Sequence, residues 1–564
     1  MLEQALSAIS GAILMSCRRV ISNNHFFAQE ADVAKTCKSR IIVVPFRDTC
    51  SSRYLYNQDN QINGSPPPSM SSAPAPGRDG YRRKSSAGKR LAVCCDGTWL
   101  DSTSGLMSGE LPIPSNVTRI ARAIKPISRD GIPQVVYYQA GIGSQGGLFH
   151  RIIGGATAEG LVENIRGGYT FLADNYHEGD EIFLFGFSRG AFTVRSIAGF
   201  IDGVGLLTKD GLPYTAEIFK DWENAYNDRY KPKHPDLPFP NKPSASDPRY
   251  KRELYERGLS ILDVPIQVVG GWDTVGSLGI PRLPMFERFG LHSRSTKEYL
   301  FYDTKLNDHI LNAFQALALD EHRSAFQPAV WEKPKGNQTN LRQVWFPGAH
   351  SNVGGGSYHD AGLSNITLAW MIAQVETMID FDADYVMEQH ELNSDYYEDS
   401  GQKIRPWSFG KIYRSFTGIY VLGGRTSRKP GDYFETDPLT NQQTDRPLRD
   451  TNEYVHACCR ARKVKKGPGV EDVGSWDAHA LSDYKVRRPD SGPAMWEPRS
   501  RRSGLHALPE APLWGIEKEL LADDPRMEDF LRPPAPRNSG SQLVRRSRSR
   551  RDERSPMSER SLKS

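Results

Sequence analysis

The sequence predicts an α/β protein: a mostly parallel sheet with helices on both faces. Two observations carry this. Short, nearly continuous apolar runs recur between residues 90 and 346, and the stretches between them repeat apolar residues at helical spacing. Strands that read as unbroken apolar runs are buried on both faces, which is the state of strands in a helix-covered parallel sheet. At 564 residues, with 38% hydrophobic and 25% charged residues, the chain is long enough for one large domain with additions, or for two to three domains.

The elements follow in order. RLAVCC (90–95) is a compact strand that ends in Asp96-Gly97-Thr98, and PQVVYYQ (133–139) is a second. Residues 156–176 have helical periodicity. EIFLFGF (181–187) is a third strand and GAFTVRSIAGFI (190–201) a helix behind it. VPIQVVGG (264–271) is a fourth strand, DHILNAFQALALDEHR (308–323) reads as a helix, and RQVWF (342–346) is a fifth strand. Residues 361–381 read as an amphipathic helix. The insert at 205–260 is polar, aromatic and proline-bearing, and is expected to lie over the sheet as a lid or wall.

Four regions are expected. Residues 1–88 form an N-terminal extension with a Pro/Ser-rich linker, although SRIIVVPF (39–46) has strand character; 89–395 form the main α/β domain. Residues 396–500 form a C-terminal extension or small subdomain, and 501–564 a mostly disordered basic tail.

Charge narrows the functional classes. The net charge is +5, and the last 24 residues alone hold eight Lys or Arg against three Asp or Glu. The body is therefore close to neutral, which argues against specific nucleic-acid binding and leaves peripheral membrane contact to the tail. Cys17, Cys37, Cys50, Cys94, Cys95, Cys458 and Cys459 include two adjacent pairs and no CxxC, unlike a disulfide framework or a zinc module. They suit a reducing compartment, so a cytoplasmic location is expected. At the N-terminus, Glu3 precedes a short apolar segment and Arg18 and Arg19 follow it, an order unlike a secretory signal; a mitochondrial presequence is the alternative. No window is long and apolar enough for a transmembrane span. Composition says nothing of oligomeric state.

The chemistry centres on Gly186-Phe187-Ser188-Arg189-Gly190, between a strand and a helix. G-x-S-x-G in that setting is the nucleophile turn of an α/β-hydrolase-like sheet, since side chains beside so tight a turn would clash. A tight structural turn is the competing reading. A serine nucleophile needs a base and an orienting acid, and this fold supplies them in the order Ser, acid, His. Asp273 follows the fourth strand and His350 the fifth, so three strand ends offer Ser188, Asp273 and His350 in that order. Strand carboxyl ends are where sites form in parallel sheets. Asp273 as a turn cap and His350 as a packed core residue are the bland alternatives.

The loop after the first strand is the candidate for oxyanion or substrate contact. Gly97 or Thr98 would supply one amide and Arg189 the other, with Asp96 orienting the loop or touching substrate. Arg189 is otherwise a charge at a helix start. Asp320, Glu321, His322 and Arg323 are expected to pair structurally around the site. The Gly354-Gly355-Gly356 run implies a close backbone approach or a sharp bend. A phosphatase of the D-x-D-G-T type is discounted because Cys94 stands where its nucleophilic aspartate belongs. A metal-dependent hydrolase would recruit Asp96, Asp273, His350, His359 and Asp360, but no tight metal motif occurs, and no cofactor is expected.

Five stretches then show a resemblance: CCDGTW (94–99), GDEIFLFGFSRGAFTVRSIAGFI (179–201), VVGGWDTVGSLGIP (268–281), ALALDEHRSAFQPAVW (316–331) and QVWFPGAHSNVGGG (343–356). Together they resemble the α/β-hydrolase family that includes the catalytic domain of the type VI secretion phospholipase effectors (Tle1-like), over about residues 89–385 with continuation to about 495. TNEYVHACCRAR (451–462) and the flanks are similar to fungal members. The resemblance implies Ser188 as nucleophile, Asp273 as acid and His350 as base, in a serine hydrolase of carboxylic esters. Phospholipase A-type substrates are the finer implication, and a lipid-like or other ester the broader one. A non-catalytic scaffold that kept the fold is the rival class.

Overall fold

The computed structural model describes residues 88–97, 113–141, 158–275, 306–415, 424–436, 443–489, 492–500 and 505–532. The expected strand at 39–46, most of the linker, Thr98 and the tail beyond 532 lie outside them.

Seven strands form the main sheet: β1 (Arg90–Cys95), β2 (Gln134–Gln139), β3 (Glu181–Phe187), β4 (Ile266–Trp272), β5 (Asn312–Ala318), β6 (Asn340–Phe346) and β7 (Glu453–Val455). Every neighbouring pair is parallel, in the order β7-β6-β5-β4-β3-β1-β2. The expected fold class is the observed one. The order reverses between β1 and β3, the switch point at whose strand carboxyl ends sites form in sheets of this kind.

The period-two geometry of a strand divides each run between two cores. Leu91, Val93, Cys95, Ile182 and Leu184 face one side, and Ala92, Cys94, Phe183, Phe185 and Phe187 the other. The helices are α1 (Asn116–Ala123), α2 (Ala158–Asn175), α3 (Arg189–Val204), α4 (Thr215–Glu223), α5 (Pro248–Glu256), α6 (His350–Gly354), α7 (Gly362–Val375), α8 (Ala383–Asp399), α9 (Ala457–Val464), α10 (Gly515–Ala522) and α11 (Pro525–Leu531). Residues of α2, α3, α4 and α5 share the first core; residues of α1, α7, α8, α9, α10 and α11 share the second.

Three expectations change. Residues 312–318 are a strand, not part of a helix. NAFQALA lies between β4 and β6, buried on both faces, and a central strand rich in Ala and Leu has the composition of a buried helix.

The segment 205–260 does not roof the strand ends. Phe219 and Trp222 of α4 pack on Phe200 of α3, and Trp222 lies so close to Gly203 that a Cβ there would overlap the indole. Lys251 of α5 donates to the Asp202 carbonyl 2.7 Å away. These contacts fall in the last turns of α3, about 20 Å along the helix from Ser188 at 1.5 Å per residue.

Residues 505–532 are folded, where a disordered tail was expected. Ile516, Leu520 and Leu521 recur at helical spacing in α10 and, with Met527 of α11, are buried in the second core. The preceding segment adds β7 to the sheet edge beside β6.

Candidate active site

Ser188 sits where β3 turns into α3, at the switch point between β1 and β3. Its backbone is at φ 57° and ψ −119°, a conformation costly for a residue with a Cβ. Its amide donates to the Trp272 carbonyl at 3.0 Å, which ties the turn to the end of β4. The flanking glycines are forced by contact. A Cβ on Gly186 would strike the backbone of Gly190 and Ala191, and one on Gly190 would strike the Cys95 and Asp96 carbonyls. Gly190→Ala is therefore expected to destabilise the fold by about 3 kcal/mol or more, since backbone, not a flexible side chain, must yield. Thermal unfolding measures it.

His350 opens α6 just after β6, and both ring nitrogens have partners. Nε2 lies 2.8 Å from Ser188 Oγ, and Nδ1 lies 2.6 Å from Asp273 Oδ2. The carboxylate can only accept, so Nδ1 carries the proton and Nε2 presents a lone pair to the Ser188 hydroxyl. The ring lies between Phe187, with centroids 4.6 Å apart, and the edge of Phe326 at 4.9 Å. His350 is buried, and burial pushes its pKa below the ordinary 6.5 against the opposing pull of Asp273. It is therefore harder to protonate than a free imidazole.

Asp273 follows β4 and is fully buried. Its Oδ1 accepts from the Ala318 amide at 3.0 Å, and its Oδ2 accepts from both His350 Nδ1 and Arg428 Nη2, the latter at 2.9 Å. Burial pushes the carboxyl up, but the Arg428 guanidinium and the His350 hydrogen bond outweigh it and hold the group below the usual carboxylate range.

In the DEHR stretch, Asp320, Glu321 and Arg323 pair structurally, as expected, while His322 Nδ1 is buried without a hydrogen-bond partner among the described residues. Asp320 accepts from the Gly348 amide at 2.7 Å and from Trp476 Nε1 at 3.1 Å; Glu321 accepts from the His350 amide at 3.3 Å and from the Arg323 guanidinium at 2.9 Å. Two carboxylates thus fix the turn that delivers His350. The triglycine run has two contact reasons. A Cβ on Gly354 would enter the Phe187 ring, and Gly355, at φ 73°, bridges to Ser115 in front of α1.

The β1 loop differs from expectation at Gly97. Its amide donates to the Asp96 side chain at 2.7 Å, so it is engaged within its own loop and not directed at an oxyanion. Asp96 is a buried anchor, accepting from Ser115 Oγ, Thr118 Oγ1 and Tyr138 OH at 2.7, 3.0 and 2.9 Å. Burial raises its pKa, and those donors oppose the rise. Arg189 is the first residue of α3, beside Ser188. Of the five residues of the metal reading, Asp273 and His350 bond to each other, Asp96 is filled by protein donors, and Asp360 accepts from the Gly362 and Lys411 amides. Among the described residues, no three His, Cys, Asp or Glu side chains are grouped to hold a metal ion.

Residues 89–374 match the family described as "T6SS, Phospholipase effector Tle1-like, catalytic domain". The chain belongs to the Tle1-like catalytic-domain family. A Saccharomyces cerevisiae relative, the uncharacterized protein YEL023C, is 27% identical over 259 residues, covering 43% of this chain and 33% of its own length. Two solved structures are similar. One is an uncharacterized protein from Pseudomonas aeruginosa, 17% identical with a TM-score of 0.31, covering 57% of this chain and 52% of its own. The other is the Tle1 effector bound to the VgrG spike of the type VI secretion system, 18% identical with a TM-score of 0.26, covering 49% and 52%. The chain thus spans a third of the curated relative and about half of each solved chain.

Two side chains of this Tle1-like site were not anticipated. Phe326 lies within a quoted stretch but carries no reactive group. Arg428 lies 155 positions beyond Asp273, outside the matched residues, and no motif marks it.

Proposed function

We propose that the chain hydrolyses carboxylic esters through Ser188, His350 and Asp273. The observation that supports it is the unbroken hydrogen-bonded line from Ser188 Oγ through both nitrogens of His350 to a buried, charge-paired carboxylate. His350 Nε2 takes the Ser188 hydroxyl proton as Oγ bonds to the ester carbonyl carbon. Asp273 holds the ring and stabilises the imidazolium. The Arg189 amide follows the nucleophile into the helix and is the proposed oxyanion donor, with Thr98 as the second. The C–O bond to the leaving alcohol then breaks, and that alcohol takes the proton from Nε2. Water, deprotonated by the same nitrogen, releases the carboxylic acid and restores Ser188.

Within this reading the substrate class is a lipid-like ester, phospholipase A-like by family, with peripheral contact at a lipid surface. The support is family membership. Among the described residues no helix is long and apolar enough to cross a membrane. Residues 451–462 support a fungal-type member, and four buried free thiols support a reducing compartment such as the cytoplasm.

The test is hydrolysis of p-nitrophenyl butyrate and release of fatty acid from phosphatidylcholine and phosphatidylglycerol vesicles by the full chain. Turnover of at least the aryl ester is expected, and silence toward all three would sink the reading. The rate should also fall on acidification, because the base works only when neutral. Burial depresses the His350 pKa, so the acid limb of kcat/KM should lie below pH 6.5. A limb above that value contradicts a buried base.

A further inference from the structure

We infer that Arg428 is a positioning residue of the catalytic machinery, and that a segment beyond the family-matched residues completes the site by holding Asp273 in place and in its charged form. The inference rests on the proposed Ser188 mechanism. Its geometry is specific. Arg428 is 1% exposed, and its Nη2 donates to the same Asp273 oxygen that receives His350 Nδ1. A carboxylate with no exposure is costly unless compensated, and the only full charge bonded to it among the described residues is this guanidinium. The matched residues end at 374, so that compensation comes from outside them.

The segment that carries Arg428 is fixed to the sheet. The Gly431 amide donates to Glu453 Oε2 at 3.0 Å, and the same oxygen receives Trp345 Nε1 at 2.8 Å. Tyr433 stacks on Trp345 with centroids 6.1 Å apart and planes at 11°, and the Pro430 carbonyl accepts from Tyr484 OH at 2.9 Å. Glu453 belongs to β7 and Trp345 to β6. The strand that delivers His350 therefore also anchors the loop that delivers Arg428, so acid and base are referenced to one rigid element. Upstream, the Thr426 amide donates to the His322 carbonyl at 2.9 Å, closing the loop over the DEHR turn.

The charged and titratable groups facing the Asp273–His350 pair are Arg428 and Tyr433 from this segment, Glu321 and Arg323 from the loop after β5, and Ser188. Removing Arg428 takes a positive charge from a dry site. Whichever member of the pair binds the proton, its affinity for it rises, so the acid limb moves to higher pH.

The test uses the full chain, p-nitrophenyl butyrate, and four proteins: wild type, Arg428→Gln, Asp273→Asn and the double variant. Arg428→Gln is expected to lower kcat by about 10- to 100-fold with KM changed less than about twofold, because a base displaced by a fraction of an ångström loses rate rather than binding. Its acid limb should shift upward by about half a pH unit or more. In the Asp273→Asn background the same substitution should change kcat by no more than about twofold, since the residue acts through Asp273. An unshifted limb, or a further tenfold loss in the Asp273→Asn background, overturns the inference. If Arg428→Gln alone does not fold, the double variant, which removes both buried charges, carries the comparison. Loss of wild-type turnover on Ser188→Ala tests the underlying mechanism separately, so the two can fail independently.

Discussion

Ser188→Ala is expected to abolish ester hydrolysis, lowering kcat by about 10⁶-fold, while thermal unfolding moves little. The rate loss follows from removing the only oxygen within hydrogen-bond reach of His350 Nε2 among the described residues. The small stability effect follows from what the serine does for the fold. It makes one hydrogen bond from its side chain, while its backbone sits at φ 57°. A glycine relieves that backbone. Ser188→Gly should raise stability by about 1 kcal/mol or more as it removes activity, since the strain belongs to the Cβ and not to the turn. Chemical denaturation of the three proteins measures this. An equally stable or less stable glycine variant would show that the turn is not strained.

The second large effect is expected at the acid. Asp273→Asn should lower kcat by about 10⁴-fold near neutral pH and destabilise the fold by about 2–4 kcal/mol. Three donors converge on the carboxylate: the Ala318 amide on Oδ1, and His350 Nδ1 and Arg428 Nη2 on Oδ2. An asparagine has one acceptor oxygen. Turned toward His350 and Arg428, its amide meets the Ala318 N–H donor to donor; turned the other way, it forces His350 into the wrong tautomer and strands the guanidinium. Either orientation leaves a buried donor unpaired. Acidification should act on the same bonds. Asp273 has a depressed pKa in the fold, so it contributes stability that is present above the ordinary carboxylate range and lost as pH falls through the folded value. His350, buried neutral with a lowered pKa, works in the same direction, because the unfolded chain takes up that proton first. Stability of the wild type should therefore decline on the acid side, and more steeply than that of Asp273→Asn.

Much of this arrangement is legible in the sequence, and what is not has physical causes. Ser188, Asp273 and His350 stand out because each follows an apolar run, and in a parallel sheet every such run ends at the same edge. The glycines beside Ser188 and after His350 stand out because close backbone contact excludes a Cβ. The strand at 312–318 was hidden because burial on both faces removes alternation, leaving Ala and Leu in a pattern shared with buried helices. The placement of 205–260 was hidden because polarity marks a surface segment without saying which end of the sheet it covers. Gly97 failed for a local reason: Asp96, one residue earlier, takes its amide. Arg428 could not be found from spacing at all. It reaches Asp273 only because β7, which begins 107 positions after β6 ends, returns to pair with β6 and brings its loop along.

The central claim is that Ser188 is the nucleophile, and covalent capture tests it most directly. The full-length protein is treated with a fluorophosphonate, digested, and the modified peptide located by mass spectrometry, beside Ser188→Ala and a sample protonated at low pH. The account predicts one phosphonyl adduct per chain, on Ser188, absent from the alanine variant and slowed once His350 is protonated. An adduct on another residue, or labelling undiminished in Ser188→Ala, would contradict it.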